Sequence, residues 1–227
     1  MVKFIENQLV SIKNEVIDMW TLVFNQLSKA QQAVASMDHN LAEEITNQEK
    51  MVNSYDLKID SMVENFIALY NPVAVDLRFV LAMLNVNNNL ERIGDYADSI
   101  ARFVIRSKDT KIDPQLLDAL RLEEMFEHVL FVVDTAKRAL TEENISLAKS
   151  IFNEDNLLDE INADSVKTLS EYAMKHPENT RLCLELNGLF RKLERTGDHI
   201  NNIMEDIIFY IDANVLKHEG KHSSEDI

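Results

Sequence analysis

Two short acidic motifs are the places where this sequence could do chemistry. Glu91 and Asp95 stand four residues apart in Leu90-Glu91-Arg92-Ile93-Gly94-Asp95, and Glu194 and Asp198 do the same in Leu193-Glu194-Arg195-Thr196-Gly197-Asp198. On a helix this spacing stacks the two carboxylates on one face, where like charges cost a few tenths of a kcal/mol per pair. Arg92 and Arg195 offset part of that repulsion. A hard cation, which takes clustered carboxylate oxygens, would offset more. The glycine inside each motif costs about 1 kcal/mol relative to alanine, and is understandable where another helix or a ligand must approach the backbone closely. Tight helix packing alone would also account for it, so the motif reads equally as a ligand set or as a packing device.

The elements that must position these carboxylates are helices. Four glycines and three prolines in 227 residues leave little turn chemistry for a sheet, and 46% apolar content supplies a core. Helical periodicity between the breaks predicts six long helices, over 3–37, 40–70, 74–107, 114–141, 144–175 and 179–213. Pro72 and Pro177 fall at equivalent places before the third and sixth of these, and Asp113-Pro114 reads as an N-cap with a first-turn proline. The two acidic motifs share five of six residues at an offset of 103. The expected architecture is therefore all-α: two tandem three-helix bundles related by internal duplication, over 1–110 and 111–213. The tail, 214–227, has no apolar face and is expected to be frayed or disordered.

Counting back from the proline turns places the preceding antiparallel helix opposite each motif. Glu49 and Asn53 then face Asp95 and Glu91, with Asp56 and Asp60 continuing their stripe. Asp155 and Asp159 take the same place in the second half, with Asn162 continuing. Paired helices bearing oxygen ligands at this spacing can hold hard or borderline ions. His199, a lone helical histidine, is left out of the ligand set. The only Glu-x-x-His pair, Glu219 with His222, lies in the tail, which excludes the ferritin-like di-iron plan. No phosphate-binding glycine loop, nucleophile elbow or HExxH is present. Cys183 is the single cysteine, so neither an intrachain disulfide nor a thiolate cluster can form, and its apolar setting reads as a buried inert thiol. A net charge of −16 repels nucleic acid. No leader or membrane-spanning run is apparent, and a reducing, cytoplasmic setting is expected.

Pro72-Val73-Ala74-Val75-Asp76-Leu77-Arg78 followed by Leu90-Glu-Arg-Ile-Gly-Asp95 resembles the signature of PhoU proteins, and the motif at 193–198 resembles its second copy. The resemblance covers about residues 5–213. It implies a cytoplasmic, non-enzymatic protein, often a homodimer and peripheral at the inner membrane through its partners, that negatively regulates phosphate uptake. It would do so by coupling the phosphate ABC transporter to a sensor histidine kinase. The resemblance also implies metal at Glu49, Asn53, Glu91 and Asp95 in the first repeat and at Asp155, Asp159, Glu194 and Asp198 in the second. Iron, manganese, magnesium or zinc are the candidate divalent or trivalent ions. Asparagine at position 53, where an aspartate is expected, removes one charge from the first site. The alternative is a metal-free helical scaffold or oligomerisation module in which the acidic motifs only pack helices.

Overall fold

The structure, a computed structural model, describes the backbone of residues 2–107, 112–152 and 154–222. The side chains of residues 2, 155 and 213–222 lie outside the described residues. In the first repeat, α1 (Val2–Ser36), α2 (His39–Tyr70) and α3 (Ala74–Arg106) follow the periodic pattern closely. Asp38 caps α2 by accepting from the Leu41 amide, and Asn71, left-handed at φ 46°, ends it by donating to the Ile67 carbonyl. The chain thus reverses just before Pro72, which cannot continue a helix.

The second repeat is built from more pieces than the sequence pattern indicates. One predicted helix, 114–141, is α4 (Pro114–Ala119) and α5 (Leu122–Glu142), and another, 144–175, is α6 (Ile145–Ile151) and α7 (Asp155–Lys175). The first break has a physical cause. An uninterrupted helix that buried Leu116 and Leu120 would next turn Glu123, Glu124 and Glu127 inward. Arg121, at φ 55° and ψ 35°, shifts the phase so that Leu122, Met125, Phe126 and Val129 are buried instead. The second break spans residue 153, which is outside the described residues. After the short 3-10 turn Pro177–Asn179, α8 runs Thr180–His222, longer than periodicity predicts for the last helix. Residues 214–222, expected to be frayed or disordered, continue α8, and 223–227 lie outside the described residues.

The repeats share one continuous core. Central helices α3 and α8 pack antiparallel, with Phe79 edge-on to Tyr210 at 5.5 Å and Asn85 donating to Asp206 at 3.0 Å. The fully buried Trp20 donates its indole N–H to the Val133 carbonyl at 3.1 Å, tying α1 to α5. No described helix is long and apolar enough to cross a membrane.

Candidate functional site

Gly94 decides how closely α2 and α3 approach. A Cβ there would stand 3.1 Å from Val52 Cγ1 and 3.5 Å from both Gln26 Oε1 and Glu49 Oε2. The missing side chain admits Glu49 to the core edge, where only 7% of it remains exposed. Burial pushes the Glu49 carboxyl up to about 7. A hydrogen bond from Gln26 Nε2 at 3.3 Å opposes this, and the carboxylates of Asp95, Asp98 and Glu91 add to it.

A second layer of acid surrounds this group. Glu91 is also raised, by burial and then by Asp95, with Arg92 opposing. The Arg92 guanidinium lies 3.4 Å from Glu91 and 3.3 Å from Asp95, so it supplies the compensation expected of it. Asp98, 9% exposed, accepts from Arg102 Nε at 2.6 Å. On α2, Asp56 is raised by burial and by Asp60, while the fully buried Asn87 lowers it. The Asn87 amide donates to Asp56 Oδ1 at 2.8 Å and to Asp60 Oδ1 at 3.0 Å, bridging two carboxylates that would otherwise repel.

Of the predicted first-repeat residues, Glu49, Glu91 and Asp95 are brought together. Asn53 is exposed, and the α2 carboxylate that faces Glu91 is Asp56. In the second repeat, Glu194 is raised by burial, by Asp198 on its own helix and by Asp159 from α7, with Arg195 and Arg191 opposing. Those three therefore share one field. The side chain of Asp155, at the start of α7, lies outside the described residues. His199 sits apart from the ligand set, with Nδ1 2.7 Å from Asn89 Oδ1 and Nε2 3.2 Å from the Tyr96 hydroxyl, joining the repeats.

The donor set suits a hard cation. It is all oxygen, and among the described residues the buried Glu49 Oε1, Gln26 Oε1 and Asp98 Oδ1 have no hydrogen-bond partner. The carboxylates gather without closing on one point: no three acidic, histidine or cysteine side chains among the described residues stand close enough to hold an ion. Sequence reasoning passed over Gln26 altogether. Its signal was a lone amide on the apolar face of α1 formed by Trp20, Val23, Leu27 and Ala30.

The PhoU domain matches this chain twice, over residues 16–104 and 122–207. A phosphate-specific transport system accessory protein PhoU homolog 1 from Thermotoga maritima is 31% identical over 90% of this chain and 87% of its own length. The phosphate-specific transport system accessory protein PhoU of Escherichia coli is 31% identical over 94% and 87%. The crystal structure of PhoU from Pseudomonas aeruginosa superposes with a TM-score of 0.86 at 26% identity, covering 91% of this chain and 98% of that one. A phosphate transport system regulatory protein PhoU from Streptococcus pneumoniae gives 0.81 at 28%, covering 91% and 96%. With both repeats matched and the fold shared along nearly its whole length, the chain belongs to the PhoU family.

Proposed function

We propose that this chain is a non-enzymatic regulatory adaptor that restrains phosphate uptake at the cytoplasmic face, linking the phosphate ABC transporter to a sensor histidine kinase as a homodimer. The observation that carries the reading is similarity along 94% of the chain to a protein named as an accessory of phosphate-specific transport. The acidic clusters add a metal to it. Glu49, Glu91 and Asp95 in the first repeat, and Asp155, Asp159, Glu194 and Asp198 in the second, would hold iron, manganese, magnesium or zinc. Bound metal would supply charge compensation, bridging helices two and three of each repeat and lowering the cost of burying Glu49. Chain residues do the rest: Gln26 and Gly94 fix where the Glu49 carboxyl sits, and Arg92 and Asn87 hold its acidic neighbours in place.

A metal-free scaffold is the second reading. It is favoured by the close fit of Gly94 against Val52, which packing alone can explain. Deleting the gene and reading a phosphate-regulated promoter in phosphate-replete medium tests the first reading. Derepression that is complemented by the wild-type gene is expected, and unchanged expression would remove the regulatory assignment.

A further inference from the structure

A cleft lies away from both acidic clusters. It opens between the last turns of α1 and the α4–α5 corner and has a volume of about 810 Å³. Its floor is apolar, with Ala35, Leu117 and the buried Phe126, and its rim is acidic, with Asp118, Glu123 and Glu127. The corner exists because Arg121 adopts a left-handed backbone. That arginine does not neutralise the rim, because its guanidinium is engaged by Glu124 at 2.7 and 2.9 Å and by Glu160 at 2.6 Å. Among the described residues, Asp118, Glu123 and Glu127 have no cationic partner.

We infer that this cleft is a docking groove for a basic amphipathic peptide segment of a partner protein, with apolar side chains on the Ala35, Leu117 and Phe126 floor and lysine or arginine at the rim. The volume lies in the range of small-ligand and short-peptide sites, and the charge selects the class. Nucleic acid and anionic lipid meet the same repulsion as an acidic peptide. A second copy of this chain carries −16 of its own, so self-association there is opposed. The groove holds no group of acidic side chains close enough to bind an ion, and the inference does not rest on the metal reading.

Fluorescence anisotropy with a short synthetic amphipathic peptide of leucine and lysine tests it, beside the same peptide with glutamate for lysine. At physiological ionic strength the full chain should bind the basic peptide and not the acidic one. Two variants of exposed residues separate groove docking from general attraction to an acidic protein. Ala35→Trp fills the floor without changing charge, and Glu123→Lys with Glu127→Lys reverses the rim; each should weaken binding about tenfold or more. Glu64→Lys with Glu171→Lys, an equal charge change on exposed sites elsewhere, should leave it nearly unaffected. Equal losses in both charge pairs, no loss in Ala35→Trp, or no binding at all would overturn the inference. So would a change of oligomeric state in Ala35→Trp, measured by ultracentrifugation, which would assign the groove to a second copy.

Discussion

Replacing Glu49 with glutamine should make the metal-free protein more stable at high pH and leave it unchanged at low pH. The carboxyl titrates at about 7 in the folded chain against 4.5 for an unperturbed glutamate. A gap of about 2.5 at about 1.4 kcal/mol each corresponds to about 3.5 kcal/mol. Screening at the core edge reduces this to about 2 kcal/mol. The folded value is the higher one, so the folded state holds its proton longer. The contribution to stability is complete below pH 4.5 and is lost as pH rises through about 7. Above that, the wild type carries a buried carboxylate whose Oε1 has no partner. Glutamine cannot ionise, so this cost is absent in the variant. Urea unfolding followed by circular dichroism, in chelator, should show equal stabilities at pH 4 and about 2 kcal/mol in favour of Glu49→Gln at pH 8. A variant no more stable than wild type at pH 8, or a difference independent of pH, would refute the account of the Glu49 environment.

Two of the helical glycines, Gly94 and Gly188, should respond oppositely to alanine. Gly94→Ala meets Val52 Cγ1 at 3.1 Å, so strain outweighs the helix-propensity gain of about 1 kcal/mol, and a loss of about 1–2 kcal/mol is expected by denaturation. Gly188→Ala meets only the flexible Lys192 ammonium at 3.7 Å and should gain up to about 1 kcal/mol in the same assay. Asn87→Ala removes the amide between Asp56 and Asp60 and should cost about 1–3 kcal/mol at pH 7, as measured by urea midpoints. Trp20→Phe deletes the hydrogen bond to Val133 and should lower stability by about 1–3 kcal/mol in thermal unfolding.

The first repeat was legible because each signal agreed with the next. Asp38 and Asn71 cap where capping residues should, Pro72 separates α2 from α3, and the apolar stripes carry through without a phase change. The second repeat was less legible because the break at Arg121 has no glycine or proline to announce it. Only the misphasing of Leu116 and Leu120 against Leu122 and Met125 marks it. Counting from the proline turns brought Glu49 to Asp95 and Glu91, since antiparallel helices of equal rise keep register over a few turns. It could not foresee Gln26, whose α1 has no fixed register from those turns. Nor could it separate Asn53 from Asp56, which are close in angle yet differ in burial.

The central claim is that the acidic clusters hold metal. Elemental analysis of full-length protein purified without chelator or affinity tag tests it most directly. Wild type would be compared with one variant carrying Glu49→Gln, Glu91→Gln and Asp95→Asn and another carrying Asp159→Asn, Glu194→Gln and Asp198→Asn. The account predicts metal in wild type, with each variant losing the share of its own repeat while keeping its helical content. Wild type without metal, or variants that retain as much as wild type, would contradict it and leave the acidic motifs as packing elements.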